Sequence, residues 1–384
     1  MIDLLIFTGV PLDDNATLYR SGFLAKKLQE EGYSVKVASV DKNFKKIETR
    51  LVENLPVKFL GQAHYYSQNK FSDRQKLGMK RVIFENMRTC WRFIKLVRQE
   101  KPERVLVVTT MPISLMIGFA SKLLGCDTFL DIEDYAQGQM EASGYNQSLV
   151  KIYDFVEKLF LPLFNKVCVC SHFLQEKYPG SMIIPNMIDI DFWAGPKKKK
   201  SQIINLVFVG QMGPYHGQRE VLESLAPVLK RNQNLKLIFV GGGEYLNKLK
   251  IKNEKLKMKK QVIFTGQVAQ EKVREILAAS DIGILPLWDK PVHKARHPLK
   301  LIEYLAAGLV VVANAVGEAR LIIKEGENGL LLPAGDLTGL GQTIEKIIND
   351  PQKMNNISAK AIETASQFST EEIMPKWQYF LQIK

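Results

Sequence analysis

Residues 281–313, DIGILPLWDKPVHKARHPLKLIEYLAAGLVVVA, contain the pattern that decides the fold of this chain. Apolar runs at 281–285 and 309–313 have the length of β-strands, and a helix-period segment begins at His297 between them. Strands joined by a connection of this length pair in parallel, because the helix can cross the face of the sheet. The stretch therefore predicts a parallel α/β unit.

The same alternation runs through both halves of the chain. The predicted strands of the first half are 2–8, 34–40, 104–109, 127–131, 166–170 and 182–184, and those of the second half are 204–209, 235–240, 262–264, 281–285, 309–313 and 329–332. Helix-period segments separate most of them. This order predicts an α/β protein whose parallel sheets are covered by helices on both faces.

The length of the chain and one break in its periodicity predict two domains. A chain of 384 residues exceeds the size of one ordinary core, and the periodicity is interrupted at residues 195–202, GPKKKKSQ. We expect two doubly wound Rossmann-like domains that face a central cleft. Ligands bind such sheets at the carboxyl ends of the strands, so the cleft is the expected binding site.

The loop after the strand at 281–285 is basic and leads into an unusual helix. Its basic residues are Lys290, His293, Lys294, Arg296 and His297. Pro298 suits a first helical turn, whose free amides would form a phosphate site with this loop and Lys300. A lysine there opposes the helix macrodipole, and Lys before Glu303 is the weaker order for a pair. Two interpretations stay open: Glu303 accepts hydrogen bonds from a ribose beside a diphosphate, or the two residues form an ordinary pair on a solvated helix.

Several protein classes are disfavoured by motifs that the sequence lacks. It contains no Ser-His-Asp set, Walker loop or zinc-ligand spacing, and Gly9 is not part of the G-x-G-x-x-G of a nicotinamide enzyme. The four cysteines, at 90, 126, 168 and 170, are expected to be reduced core residues. We find no signal peptide and no membrane span, and we expect a cytoplasmic protein.

The net charge of +13 is concentrated in two segments. Residues 70–104 contain eleven basic and four acidic residues, and residues 248–260 contain seven lysines and one glutamate. The first segment also has apolar residues at helical spacing, most of which are expected in the core. Its basic face is interpreted either as solvated or as a peripheral contact with an anionic membrane, which would suit a lipid-linked acceptor. We expect no nucleic-acid binding, because no recognisable reader motif accompanies the charge.

Two further stretches are interpreted mainly as turns. In VGGGEY, residues 240–245, the glycines permit either a tight turn or the close approach of a ligand, and the turn is favoured. Asn186 and Asp189, in PNMIDID, are expected to be turn and capping residues rather than catalytic ones.

The motifs spread along the chain resemble those of a known family. The stretch 297–340 resembles the donor-binding region of the GT-B fold glycosyltransferases of the large retaining group called family 4. LVFVGQMGPYHGQREVLESL at 206–225, LIFVGGGEYLNKL at 237–249 and VIFTGQV at 262–268 are similar to its successive strand and loop units. FSTEEIMPKWQYFLQ at 368–382 resembles the terminal helix that crosses back to the first domain. The resemblance covers nearly the whole chain and is strongest in the second half.

By position, the resemblance assigns most of the donor site to the second domain. It places Glu303 at the ribose hydroxyls, and Lys300 with the amides of Leu299 and Lys300 at the diphosphate. Gly210 opens the glycine loop that also belongs to the donor site, and Gly9 would approach the diphosphate from the first domain.

The resemblance also implies contacts to the nucleobase and to the sugar. The backbone around Gly266, Gln267 and Val268 would contact the nucleobase. Glu133 and Asp134, in DIEDY, fall where many members place a His-Asp pair at the sugar. We expect one of these acids, together with Lys300, to act at the reacting centre. The alternative is that they cap the next segment.

The chain departs from the family pattern at three positions. The first glutamate of the acidic motif is replaced by Ala295, the arginine of the glycine loop by Gln211, and the lysine that follows in that loop by His216. Histidine has an ordinary pKa near 6.5, so this phosphate contact would depend on pH. Arg296 and Lys300 are the candidates to restore the missing charge.

The resemblance implies a hexosyltransferase-type glycosyltransferase that needs no cofactor and no metal. It would move a sugar with retention from a nucleotide-sugar donor to a glycan or lipid-linked acceptor, in the synthesis of a cell-surface polysaccharide or glycolipid. Residues 1–195 with 370–384 would form the acceptor domain, and 202–369 the donor domain, working at the inner face of the membrane. The alternatives are a noncatalytic nucleotide-sugar-binding subunit and a GT-B sugar-nucleotide epimerase.

Overall fold

A computed structural model describes residues 2–12, 18–63, 65–66, 75–76, 78–142, 144–195, 202–213 and 216–383, with the backbone alone for residues 65, 66, 75, 76, 79 and 142. The chain forms two compact units. Unit 1 consists of Met1–Pro185 and Met374–Lys384, and unit 2 of Asn186–Ile373.

The first unit contains an eight-stranded sheet in the order β10-β9-β8-β7-β1-β2-β4-β3. Its strands are β1 Leu4–Thr8, β2 Val35–Asp41, β3 Glu48–Val52, β4 Leu55–Gln62, β7 Arg104–Val108, β8 Asp127–Ile132, β9 Lys166–Val169 and β10 Met182–Ile183, and a separate short pair is β5 Tyr65–Tyr66 with β6 Gln75–Lys76. All neighbours in the large sheet are parallel except β3, which pairs antiparallel with β4. The strands are strongly apolar because helices cover both faces.

The helices of unit 1 alternate with these strands. They are α1 Phe23–Glu30, α2 Met79–Glu100, α3 Pro112–Leu123, α4 Ala136–Ala142, α5 Gln147–Phe160 and α6 His172–Lys177. A π-helical turn, Leu18–Gly22, leads into α1, and a 3-10 turn, Leu161–Leu163, follows α5.

The second unit has a six-stranded parallel sheet in the order β13-β12-β11-β14-β15-β16. The strands are β11 Ile204–Val209, β12 Leu235–Val240, β13 Val262–Gly266, β14 Ile282–Leu285, β15 Val310–Asn314 and β16 Leu330–Leu332. The helices are α7 Ile190–Ala194, α8 Gln218–Arg231, α9 Leu246–Lys255, α10 Gln270–Ala278, α11 Pro291–Lys294, α12 Leu299–Ala306, α13 Glu318–Ile322, α14 Leu340–Ile348 and α15 Pro351–Ser366. The last helix of the chain is α16, Thr370–Leu381.

Both sheets are doubly wound, as the sequence pattern predicted. In unit 1 the strands proceed from β1 to one side and then restart at β7 on the other side of β1. In unit 2 they proceed from β11 to β13 and restart at β14, on the other side of β11. The two loops that leave neighbouring strands in opposite directions open a crevice at each of these points, where α/β sheets bind ligands.

The end of the first unit differs from the expected boundary at residue 195. Residues 186–194 lie in unit 2, because Ile188 N–H donates to Phe368 O at 2.9 Å and Trp193 is buried in the core of that unit. Of the linker at 195–202, residues 196–201 lie outside the described part of the chain.

The terminal helix returns to the first unit. The ring of Phe380 packs edge-on against Phe129 of β8 with centroids 5.4 Å apart, and Trp377 and Phe380 are buried. The apolar side of this helix therefore completes the core beneath the first sheet.

The expectation that most apolar residues of the basic segment are core residues is wrong for α2. Phe93 and Val97 are buried, but four other large apolar side chains point outward: Ile83, Phe84, Met87 and Trp91 are each more than half exposed. The helix is apolar on two sides, and its periodicity alone could not identify the covered side. Residues 70–74 and 77 of the segment lie outside the described chain.

The helices and the cysteines each answer one question that the sequence raised. Within the described residues, no helix has both the length and the apolar character that a membrane crossing requires. The four cysteines are buried, as expected of core residues.

A buried ion pair joins the turn before α1 to the centre of the first sheet. Arg20 donates through Nε to Asp131 Oδ2 and through Nη2 to Oδ1, both at 2.8 Å, and the two side chains are 3% and 0% exposed. Burial opposes the charge of Arg20, but the adjacent carboxylate outweighs it and raises the pKa of the guanidinium. The same guanidinium lies over the ring of Trp377 in α16, 4.9 Å from its centroid.

Replacing Asp131 with Ala leaves the guanidinium of Arg20 buried without its partner. We expect the unfolding free energy of unit 1 to fall by about 3–5 kcal/mol, measured by urea unfolding of the full chain. The matched control is Asp154→Ala, which breaks the exposed pair with Lys158 at 2.7 Å and should have little effect. A loss no larger than that of the control would contradict the structural role of the buried pair.

Candidate functional site

Helix α12 carries an ion pair with one buried and one accessible partner. Lys300 Nζ donates to Glu303 Oε2 at 2.6 Å, and the two side chains are 33% and 3% exposed. Burial raises the pKa of the Glu303 carboxyl, and the charge and hydrogen bond of Lys300 oppose that rise. The interpretation as a pair on a solvated helix is therefore wrong, because the carboxylate is inside the protein.

Buried contacts on both sides of the helix hold α12 in place. Tyr304 is fully buried and its hydroxyl accepts a hydrogen bond from Val209 N–H at 2.7 Å, at the end of β11. Gly283 of β14 has no side chain at this point, and a Cβ there would lie 2.5 Å from the Tyr304 ring. Asn186 donates to His297 O at 2.8 Å, just before the helix begins. The start of α12 is thereby fixed relative to β11 and β14.

The first turn of α12 keeps its amide groups open to a ligand. Pro298 occupies the N-cap position and provides no side-chain cap, and the turn contains no acidic residue. Leu299 and Lys300 are partly exposed. The uncapped amides and the Lys300 ammonium together are suited to bind an anion.

A cluster of basic groups surrounds the loop after β14. Burial lowers the pKa of His216, and the positive charge of Arg296 lowers it further. Burial and the charges of Arg296, His216 and Lys290 lower the pKa of His293 to about 4. Depressed pKa values beside several cations make these histidines candidates for a functional site.

The loop after β11 lies against the loop after β14. Gly217 caps α8 in the left-handed conformation with φ 74°, and a Cβ there would lie 2.7 Å from Pro286. The N-terminus of α8 therefore meets the basic loop at the point where the strand order reverses. Gly210 and Gln211 open this same loop, with Gln211 partly exposed, and Pro214 and Tyr215 lie outside the described residues.

The glycines of VGGGEY have a packing role. A Cβ on Gly241 would lie 2.0 Å from Gly210 O, and one on Gly243 would lie 2.3 Å from Met212 O. Their φ angles of 131° and 145° also exclude most side chains. These contacts explain Gly241 and Gly243 by turn geometry, which is the interpretation that the sequence favoured.

The residues assigned to the nucleobase lie on the neighbouring strand. Gly266 ends β13 with φ 72°, and its carbonyl accepts from Gly241 N–H at 2.9 Å. Gln267 is exposed and Val268 is partly buried. The loops after β11, β12 and β13 therefore share the edge of unit 2 that contains α12.

Two further positions that the sequence singled out, Ala295 and Asp189, have defined environments in the structure. Ala295 is 0% exposed at the end of α11, so no side chain from this position reaches solvent or ligand. Asp189 is a capping residue, as expected, because its Oδ1 accepts from Phe192 N–H at 2.9 Å in α7.

The reversal point of unit 1 has a strained backbone. Thr109, directly after β7, has φ 71°, a conformation that is unfavourable for a β-branched residue. Gly9 follows β1, and a Cβ there would lie 2.4 Å from Ser114 Oγ in α3. A side chain at Gly9 would therefore crowd the start of α3, so packing favours glycine here in addition to its role as a candidate ligand contact.

The two predicted acids, Glu133 and Asp134, lie directly after β8, the strand that neighbours β7. Both are partly exposed. Ser21 Oγ donates to Glu133 Oε1 at 3.4 Å, and Cys170 Sγ donates to the Glu133 carbonyl at 3.2 Å. The structure thus brings Gly9, Thr109 and both acids to the carboxyl edge of one sheet.

Two residues near the candidate sites, Trp193 and Thr109, were not assigned a role from the sequence. The ring centroid of Trp193 lies 5.8 Å from Lys300 Nζ. The conformation of Thr109 has no sequence signal. The position of His293 in the basic loop was visible, but its proximity to His216 follows only from the fold.

The comparisons with known proteins concern mainly unit 2. Residues 188–364 match the family model described as Glycosyl transferases group 1. Over 163 residues the chain is 29% identical to N-acetyl-alpha-D-glucosaminyl L-malate synthase of Bacillus anthracis, covering 42% of this chain and 40% of that one. Over 168 residues it is 27% identical to the lipopolysaccharide core biosynthesis glycosyltransferase LpsE of Rhizobium meliloti, covering 44% and 47%. The matches thus span less than half the length of these relatives.

Solved structures share the fold over the whole chain. Sucrose-phosphate synthase from Thermosynechococcus elongatus superimposes with a TM-score of 0.76 at 16% identity, over 99% of both chains. HepE of Anabaena, solved with UDP and glucose, gives a TM-score of 0.73 at 17% identity over 100% of both chains. The fold class is therefore GT-B, with two Rossmann-like domains. Residues 188–364, just under half of the chain, match the family model of the glycosyl transferases group 1, in agreement with the resemblance that the sequence indicated.

Proposed function

We propose that this protein is a retaining glycosyltransferase that uses a nucleotide-sugar donor. The observation that carries the proposal is the Lys300–Glu303 pair at the uncapped start of α12, next to a basic cluster at the reversal point of the sheet. HepE, which shares the fold, was solved in complex with UDP-glucose, and this supports a nucleotide diphosphate sugar as the ligand class.

In the proposed complex the diphosphate lies at the start of α12. The amides of Leu299 and Lys300 donate to its oxygens, and Arg296 adds positive charge. His216 adds positive charge only when its imidazole is protonated, because its pKa is lowered in the free protein. Lys300 has three N–H donors and uses one for Glu303, so the others can bind phosphate oxygens. Glu303 accepts from the ribose diol, and the backbone of residues 266–268 contacts the base.

The proposed chemistry needs no protein nucleophile. Negative charge develops on the departing diphosphate, where the helix N-terminus and Lys300 stabilise it. The acceptor hydroxyl attacks from the same face and gives its proton to the leaving phosphate, so that the sugar configuration is retained. Glu133 or Asp134 orients the sugar or the acceptor from unit 1.

We propose a glycan or lipid-linked acceptor and a cytoplasmic site of action. A relative named in lipopolysaccharide core biosynthesis and another named an exopolysaccharide phosphotransferase support a role in cell-surface polysaccharide or glycolipid synthesis. A noncatalytic nucleotide-sugar-binding subunit is the second candidate, and the buried Ala295 in place of an acid favours it. An epimerase on the same fold is the third.

A ligand panel followed by a turnover assay tests the proposal. Thermal unfolding is measured with UDP, GDP, ADP, CMP and dTDP sugars, and a ligand present at 100 times its dissociation constant adds about 2.7 kcal/mol of stability. Slow hydrolysis of the stabilising donor supports an enzyme, and stabilisation without any turnover supports the noncatalytic subunit. NMR of the transferred sugar then separates a retaining transferase from an epimerase. The absence of a shift with every donor would refute the donor assignment.

Replacing Lys300 with Ala removes a charge-assisted phosphate contact. We expect binding of the matching nucleoside diphosphate to weaken by about 1.5–3 kcal/mol, roughly 10- to 150-fold, measured by calorimetry. The matched control is Lys360→Ala in α15, because Lys360 also pairs with an acid three residues on, Glu363, at 2.6 Å. Equal affinities for the two variants would exclude Lys300 from the site.

The histidine cluster predicts a pH dependence with a defined sign. In the free protein the folded-state pKa of His293 is depressed to about 4 from 6.5, so its contribution to stability is full above pH 6.5 and is lost as the pH falls toward 4. A bound diphosphate favours the protonated imidazole and raises the pKa. Binding should therefore take up protons and tighten as the pH falls from about 6.5 toward 4.

Comparison with His293→Gln isolates this effect, because titration of the ligand itself is the same for both proteins. The ratio of the wild-type affinity to that of the variant should rise severalfold as the pH falls over this range. A ratio that stays constant would show that His293 does not sense the bound anion.

A further inference from the structure

Three neighbouring helices of unit 1 expose large apolar side chains on their outer sides. In α2 the exposed residues are Ile83, Phe84, Met87 and Trp91, with exposures of 54–60%. In α5 they are Leu149, Ile152, Phe155 and Leu159, with exposures of 40–68%. Single exposed apolar residues are ordinary, but a group of this size marks an interaction surface.

The exposed residues of α2 and α5 belong to one surface because α3 lies between them. The strands β4, β7, β8 and β9 follow one another in one direction across the sheet, so right-handed crossovers put α2, α3 and α5 on the same face. Helix α3 packs against both α2 and α5, and the rings of Phe119 and Phe160 meet edge-on at 5.8 Å. Phe119 and Leu123 of α3 are themselves 39% and 72% exposed. We call the outer sides of α2, α3 and α5 the three-helix surface.

The three-helix surface is positively charged. Its helices contain nine basic and four acidic residues, and one of the acids, Glu157, is buried. Cations are interleaved with the aromatic rings: Lys95 Nζ lies 3.7 Å from the centroid of Trp91, and the Arg88 guanidinium lies 5.4 Å from that of Phe84. Long cationic side chains can cover apolar surface while their charged ends stay in water.

We propose that the three-helix surface binds an anionic lipid bilayer at its interface. Aromatic and aliphatic side chains would enter the boundary between headgroups and acyl chains, and the lysines and arginines would contact the headgroups. A second copy of this chain is disfavoured as the occupant, because two positive surfaces repel each other. The proposal goes beyond the proposed function and does not depend on the donor site. It adds α3 and α5 to the membrane contact that the sequence suggested for the basic segment alone.

Flotation of the full chain with lipid vesicles tests this surface. We expect the protein to bind vesicles of phosphatidylcholine that contain about one third phosphatidylglycerol. Replacing a lysine or arginine that contacts the headgroups with a neutral residue should weaken this binding by roughly fivefold. Salt at about 0.5 M should also weaken it. Equal binding to neutral vesicles, or no binding to the anionic ones, would overturn the proposal.

Three variants locate the contact. Phe84→Ser/Met87→Ser/Trp91→Ser alters α2, and Ile152→Ser/Phe155→Ser/Leu159→Ser alters α5. We expect each to reduce binding at least about tenfold. Three apolar side chains that enter the bilayer contribute several times the free energy of about 1.4 kcal/mol that corresponds to a tenfold change in affinity. The control Leu51→Ser/Ile251→Ser/Leu321→Ser removes side chains that are 54–70% exposed elsewhere and should bind as the wild type does.

The remaining outcomes are also decisive. Unchanged binding of the α5 variant would overturn the three-helix surface and leave only α2 as the contact. A wild-type dimer in solution that the α2 and α5 variants convert to a monomer would show that a second copy covers the surface. Thermal unfolding checks that the variants are folded, and nucleoside diphosphate binding, which should be unchanged, separates failure here from failure of the donor site.

Discussion

The reversal of strand order beside β11 is the constraint on which the candidate site depends. Because β12 and β14 lie on opposite sides of β11, the loops after β11 and β14 leave the sheet in different directions and open a crevice between them. Gly217 lets one loop pack on Pro286 of the other, and Tyr304 fastens α12 to the end of β11. The apolar core of unit 2 thereby determines where a charged helix start is presented to solvent.

Helix α12 has several features that suit anion binding but lower its own stability. A lysine in the first turn, no side-chain cap and a buried acid are each unfavourable for an isolated helix. The buried surfaces of Leu301, Leu305 and Tyr304 stabilise the helix in spite of them. Residues that are unfavourable for their local secondary structure, but lie in a well-packed environment, are typical of functional positions.

The sequence predicted the two parallel sheets because their strands are buried on both sides and appear as continuous apolar runs. It missed the neighbouring strands β3 and β4. The edge strand β3, Glu48–Val52, is mostly exposed and carries charged residues in place of an apolar run. In α2, Trp91 and Phe93 are both aromatic, yet one points outward and the other inward. Composition could not distinguish them, because the choice depends on which side of the helix the sheet covers.

The candidate site, like the fold, could be predicted from the sequence only in part. Lys300 and Glu303 could be identified from their position in a helix, whereas the electrostatic influence of His216 on His293 follows only from the fold. The left-handed backbone of Thr109 had no signal at all, since the residue type argues against that conformation. Contacts between residues distant in the chain were therefore the part that sequence reasoning could not supply.

The buried pair Arg20–Asp131 and the pair Lys300–Glu303 show why only the second suits a ligand. Arg20 and Asp131 bind each other through two hydrogen bonds with both side chains buried, so neither partner can be exchanged without leaving a charge unpaired in the interior. Lys300 makes one hydrogen bond to Glu303 and keeps a third of its side chain in solvent. Its ammonium can turn toward an incoming anion while the carboxylate gains hydroxyl donors in exchange. The difference in exposure, rather than the identity of the charges, makes the first pair structural and the second suited to exchange its partner.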